Sequence, residues 1–269
     1  MVEGPSGRGR RAPFYVALER ALARRGVSAE RFCAADDAVA RRVLAEYGAM
    51  FVAEGVRLPS VCLFENEEEV GRFQREAGWA SAEMGGAVVE LQPRAMEALL
   101  RARDAARAAG LDLTPRGGSE AGRRGFDDSL RLWRSRCHPA LEHWRAVGRI
   151  DGAEAERLRC LPVREQVAAV LELERGGLYF STDFTKSILY SVAAPGASQH
   201  LAMLAFDATE YRDPRVRRLL ARHGWFQTVL SDLPHFTYLG LAEEELPARG
   251  LMRVVMHEQE FWIPDLRDS

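Results

Sequence analysis

Apolar residues recur at helical spacing through most of the first two thirds of the chain and at strand spacing only in short runs after it. Phe14, Leu18, Ala21 and Leu22 share one side of residues 14–27, with arginines opposite, which predicts an amphipathic helix. A second helix is predicted over 36–51, apolar at Val39, Val43, Leu44, Tyr47 and Met50. Residues 57–64 read as a loop and short strand. The acidic run Glu65-Asn66-Glu67-Glu68-Glu69 then opens a helix reaching Arg75, since negative charge suits the positive end of a helix dipole. A short strand follows at 87–91 and a strong helix at 93–109, with Pro93 in its first turn and Gly110 as its C-terminal cap.

The remainder alternates in the same way. Residues 111–114 read as a strand, 126–144 as a helix broken at Pro139, and 154–174 as helical around Pro162. Tyr179, Phe180, Ile188, Leu189, Tyr190 and Val192 suggest a β-hairpin or two strands. Residues 211–222 form an arginine-rich helix ended by His223-Gly224, and 225–229 the next strand. The runs 251–256 and 260–263 read as a terminal hairpin with His257 in its turn.

Chemistry concentrates in the last third. His200, Asp207 and His235 offer two imidazoles and a carboxylate, the ligand types of a catalytic zinc site that leaves a fourth position to water. Asp232, three residues before His235, adds a carboxylate that can carry a proton. Spacing alone is a weak guide. On a straight strand His200 and Asp207 would lie on opposite faces, about 23 Å apart. They can share a metal only if the chain bends between them, with His200 in or just after the Pro195-Gly196 turn and Asp207 on the following strand. The plain alternative is a buried histidine and an ordinary strand-end aspartate.

The wording around these residues adds to the spacing. Pro195-Gly196-x-Ser198-x-His200-x-x-x-x-Ala205-x-Asp207 resembles the Ser-x-His-x-x-Gly-x-Ala-x-Asp motif of the zinc D-alanyl-D-alanine carboxypeptidase and dipeptidase family. Asp232-Leu233-Pro234-His235 is similar to that family's Glu-x-Trp-His segment, and Thr114-Pro115-Arg116-Gly117-Gly118-Ser119 to its upstream arginine turn. The three occur in the family's order over roughly residues 88–265. The resemblance implies one Zn2+ per chain held by His200, Asp207 and His235. It implies Asp232 as the base, Arg116 steadying the developing charge and Ser198 placing the substrate. The substrate implied is a peptidoglycan stem peptide or another peptide ending in D-Ala-D-Ala. Two positions depart from the pattern. Met203 stands where the family has glycine, so the bend must form without a residue free to adopt φ > 0. Asp232 stands where it has glutamate, one methylene longer. A second class of function stays open beside the enzyme: a catalytically impaired protein that binds peptidoglycan peptides without cleaving them.

Charge and composition narrow the setting. The 269 residues hold 37 basic and 39 acidic side chains, net −2, so no basic field points to nucleic acid. No apolar run is long enough to span a membrane. The resemblance implies a periplasmic or cell-envelope location, while no signal peptide is visible in the chain and a cytoplasmic one stays open. Cys33, Cys62, Cys137 and Cys160 lack any Cys-x-x-Cys pairing, so they read either as free thiols or as up to two disulfides of undetermined partners. Elements and resemblance together imply an α+β fold, a small antiparallel sheet carrying the zinc site and packed with helices. The organisation expected is a disordered tail at 1–13, a helical N-terminal accessory segment at 14–84, and a metallopeptidase domain at 85–269.

Overall fold

The computed structural model describes residues 12–33 and 37–267. Its elements, in order, are helices α1 (Pro13–Arg24), α2 (Ala29–Phe32), α3 (Ala38–Tyr47) and α4 (Glu67–Ala77), then strands β1 (Ala80–Met84) and β2 (Ala87–Leu91). Helices α5 (Pro93–Ala108), α6 (Phe126–Ala146), α7 (Gly152–Cys160) and α8 (Val163–Arg175) follow. Strand β3 (Ala205–Asp207), helix α9 (Pro214–Arg222), and strands β4 (Trp225–Phe226), β5 (His235–Tyr238), β6 (Leu251–Met256) and β7 (Gln259–Pro264) complete the chain. The fold is α+β, with three small antiparallel sheets.

Local chemistry explains the helix starts. Asn66 accepts the backbone N–H of Glu69 at the head of α4, and Asp37, Asp151 and Asp213 cap α3, α7 and α9 in the same manner. Proline occupies the first turn of α1, α5 and α9, where no intrahelical donor is lost. One contiguous apolar core runs from Phe14 to Trp262 and includes α1, α3, α5, α6 and the central sheet. The boundary expected at residue 84 falls in the Gly85-Gly86 turn of the β1–β2 hairpin. Of the tail expected at 1–13, residues 1–11 lie outside the described residues, while Ala12 is buried and Pro13 opens α1.

Several expected strands are absent. Residues 57–64 hold bends and no strand. Residues 111–114 are extended but join a sheet only through the single bridge Pro115 to Ala208. The aromatic run 178–192 is not a hairpin. Buried Glu174 of α8 takes the N–H groups of Phe180 (3.3 Å) and Ile188 (2.6 Å) on one carboxylate oxygen, so a side chain replaces the sheet ladder. Helix α6 continues through Pro139 instead of breaking there. Pro139 and Ser135, whose carbonyl loses its donor, both lie on the exposed face, so that carbonyl is not buried away from solvent. Residues 154–174 divide into α7 and α8 at Leu161-Pro162.

The central sheet runs β3–β5–β4. Its register pairs Asp207 with His235, Phe206 with Phe236, and Ala205 with Thr237. Alternation then places Asp207, His235 and Thr237 on one face and the buried Phe206 and Phe236 on the other. Two chemistry-bearing residues that lie 28 apart in sequence thereby become direct cross-strand neighbours.

Candidate metal centre

His200 reaches this face from a coiled loop. Its entry is the Pro195-Gly196 turn, where Gly196 has φ +85° and a Cβ would lie 2.0 Å from the carbonyl oxygen of Phe64. Only glycine fits there. Successive turns follow, with Leu201 donating to the Ser198 carbonyl, Ala202 to Gln199 and Met203 to His200. Met203, at the position the family pattern gives to glycine, adopts φ +56° while completely buried. The bend is therefore made in the left-handed region, by a residue for which that costs about 1–2 kcal/mol. It brings the chain into β3 and sets His200 beside Asp207.

His200, Asp207 and His235 each offer a ligand atom, and these atoms lie within 4.8 Å of one another; among the described residues no other such cluster of three occurs. All three side chains are buried. Oδ1 of Asp207 faces Nε2 of His200 at 3.4 Å and Nδ1 of His235 at 3.2 Å. The two rings meet edge to face at 5.0 Å. Oδ2 of Asp207 accepts from the Arg124 guanidinium at 2.6 Å, which fixes the carboxylate's orientation.

The surrounding acceptors decide where the imidazole protons sit. The Gly122 carbonyl, 2.6 Å from Nδ1 of His200, can only accept, so Nδ1 carries the hydrogen and Nε2 presents its lone pair. Gln199 donates through Nε2 to the Tyr47 carbonyl (2.9 Å), which turns its Oε1 towards Nε2 of His235 at 2.8 Å. That oxygen also accepts from Thr237, two residues along the same face of β5. His235 therefore carries its proton on Nε2 and aims the Nδ1 lone pair at Asp207. Two lone pairs and a carboxylate oxygen converge, and Nε2 of His200 is buried with no hydrogen-bond partner. Such a cluster suits a cation. Each histidine has the outer acceptor typical of metal-ligating imidazoles, and the N/N/O set suits zinc.

Electrostatics agree with that reading. Burial, reinforced by Arg124, pushes His200 down to about 4, so it is neutral at physiological pH as a ligand must be. Burial would raise the Asp207 carboxyl, and the Arg124 guanidinium at 2.6 Å opposes that rise.

The cluster opens into a recess of ≈ 260 Å³ that Ser198, Arg124, Arg136, Tyr190 and Asp232 also line. Burial raises the Asp232 carboxyl, with Asp207 adding and His235, Arg124 and Arg116 opposing. Its side chain is solvent-exposed at the rim of the recess. Asp232 sits in a tight turn, its carbonyl accepting from the His235 N–H at 3.1 Å. Ser198 is buried, 3.4 Å from the His200 N–H. Arg116 is placed differently. Its backbone N–H donates to the Asp207 carbonyl at 2.8 Å, while its exposed guanidinium lies over the Tyr211 ring, 5.7 Å from the centroid, and does not line the recess.

Two arginines in the recess escaped the reading of the sequence. Arg124 is committed to Asp207. Arg136 of α6 donates to Ser135 (2.9 Å), makes no ion pair among the described residues, and leaves Nε buried without a partner. Neither stands in a motif, and only the fold brings α6 to the sheet. A larger cavity of ≈ 860 Å³, lined by Arg25, Arg57, Arg72 and Arg94 among others, lies apart from the ligand cluster. Size yields to chemistry in choosing between them.

No family model matches the chain, and no curated protein matches it. Among solved structures it is similar to a point mutant of the vancomycin resistance D,D-pentapeptidase VanY from a VanB-type resistance cassette, in complex with Zn(II). The identity is 18%, with 62% of this chain and 82% of that chain covered, at a TM-score of 0.34. It is likewise similar to VanYB in complex with D-alanine-D-alanine, at 18% identity over 62% and 81% of the two chains, with a TM-score of 0.35. Overlaps this slight carry no weight for function, and the site is read from its own geometry.

Proposed function

We propose that this chain is a zinc-dependent peptidase of carboxypeptidase or dipeptidase type, acting on D-amino-acid-containing peptides of the bacterial cell wall. The observation that carries the zinc half of the reading is the buried, unpartnered Nε2 of His200, converging with Nδ1 of His235 on Asp207. The peptide half rests on the family-like wording from Pro195 to Asp207 and on the recess beside it. His200, Asp207 and His235 would hold the metal, and zinc bound there supplies a Lewis acid and a water acidified to a pKa of roughly 7.

The chain's own groups do the rest. Asp232, at the rim and with its carboxyl raised, accepts a proton and returns it to the leaving amine, a role that favours a basicity nearer neutral pH. Arg136, which makes no ion pair among the described residues, takes the free carboxylate of a peptide C-terminus, which favours cleavage at chain ends over internal bonds. Ser198 lies close enough to the cluster to orient the peptide backbone, and Arg116 contributes field from outside the recess. The second reading, a peptide-binding protein that does not cleave, is favoured by one observation. Asp232 is a methylene shorter than the family's glutamate, and a proton carrier must come within about 2.6–3.2 Å of its donor or work through a water.

Hydrolysis of a peptide ending in D-Ala-D-Ala by the zinc-loaded protein, with release of free D-alanine, tests the proposal. Turnover lost in both Asp232→Asn and Arg136→Ala supports it. Tight peptide binding without any release selects the binding protein, and neither binding nor release rejects both.

A further inference from the structure

The four cysteines are all free thiols, but two of them are not independent. The backbone N–H of Cys62 donates to the carbonyl of Phe32 at 2.9 Å, which brings residue 62 alongside the Phe32–Cys33 peptide. Standard bond lengths then hold the Cα atoms of Cys33 and Cys62 within roughly 7 Å, the reach of a disulfide. The two thiols are in hydrogen-bond contact. Cys137 and Cys160, on α6 and α7, share no such contact with them.

We infer that Cys33 and Cys62 are a covalent modification site, a dithiol that closes to an intramolecular disulfide when it meets a small disulfide oxidant such as glutathione disulfide. Half-buried Cys33 is the accessible partner and Cys62 the enclosed one. The Cys62 thiol donates to Cys33 and holds its thiol below the ordinary range, which makes Cys33 the attacking group. Its thiolate attacks one sulfur of the oxidant, forming a mixed disulfide and expelling one glutathione thiolate. Cys62, no longer donating to a thiolate, loses its proton and attacks the Cys33 sulfur, expelling the second. Two protein thiols are oxidised by two electrons, and one glutathione disulfide is reduced to two glutathiones.

The bridge would matter to the metal loop. The 33–62 segment contains Tyr47, whose carbonyl fixes Gln199 and whose hydroxyl donates to the Leu189 carbonyl at 3.0 Å. Two residues beyond Cys62, the Phe64 N–H donates to the Gly196 carbonyl at 3.1 Å, at the turn that delivers His200. Closing the segment ties both supports to one loop. Loop-closure entropy then predicts a melting temperature roughly 5–15 °C above that of the reduced protein.

The test is peptide mapping of the full chain after exposure to glutathione disulfide, alkylation of remaining thiols and tryptic digestion. The expected product joins peptides 32–41 and 58–72, two hydrogens lighter than their sum, with Cys137 and Cys160 still alkylated. Melting curves of oxidised and reduced protein accompany it, beside Cys33→Ser, which should abolish both the product and the shift. Cys33 and Cys62 both alkylated, a glutathione adduct that never resolves, or a bridge from either to Cys137 or Cys160 would overturn the pairing. A bridged protein that melts no higher than the reduced one would overturn the clip.

Discussion

The metal cluster and the groups proposed to act on substrate stand a few residues apart yet are held in different ways. His200, Asp207 and His235 are fixed from several directions: sheet register, a loop pinned by Gly196, and three outer partners in Gly122, Gln199 and Arg124. Asp232 and Arg116 are exposed, and no hydrogen bond among the described residues fixes either side chain. A buried polar cluster is held by the partners that satisfy it, here all but Nε2 of His200, whereas an exposed side chain can be exchanged at little structural cost. The proposed metal site is thus built into the fold, whereas the proposed turnover would depend on side chains the fold scarcely constrains.

Asp232→Asn should separate the two regions most sharply. Removing a proton carrier typically costs 10²–10⁴-fold in rate. Zinc content by atomic emission should stay that of the parent while D-alanine release falls by that factor. Loss of zinc in this variant would merge the two regions into one. Asp232→Glu sharpens the contrast in the other direction: a rise in rate over the parent would show that the shorter carboxylate limits turnover.

The buried region should respond to acid as the exposed one does not. In the metal-free protein His200 titrates near 4 when folded, against 6.5 when unfolded. Below pH 6.5 the unfolded chain therefore binds the extra proton, and stability falls as pH drops from 6.5 towards 4. The loss is about 3 kcal/mol, from roughly 1.4 kcal/mol per unit. Urea unfolding of zinc-free protein at pH 7 and pH 4.5 measures this, and His200→Gln should flatten the difference between the two.

Smaller effects lie further out. Gln199→Leu removes the acceptor that sets the His235 tautomer and should weaken zinc binding by 10–100-fold, the usual cost of an outer-shell partner, as competition with a chelator would read. Arg116→Ala should lower the rate by less than about tenfold, since its guanidinium rests on Tyr211 outside the recess. A loss as large as that of Asp232→Asn would place Arg116 in contact with substrate.

The sequence made parts of this legible. The periodicity of α1 and α5 and the β6–β7 hairpin could be read directly, because each buries a face at its own period. The metal cluster was visible only through the wording around His200, Asp207 and His235; spacing alone set the first two about 23 Å apart, and the bend at Met203 could not be foreseen in a residue that seldom takes positive φ. The 178–192 region was misread because its apolar residues are buried by turns held on Glu174, an interaction no periodicity records. Arg124 and Arg136 gave no signal, for an arginine means something only once its neighbours are known.

The most direct test of the built-in site is zinc per chain in purified, zinc-supplied protein beside His235→Ala. Near one zinc in the parent and none in a folded variant is the result expected. A well-folded parent that takes up no zinc would contradict the metal site and the peptidase built on it.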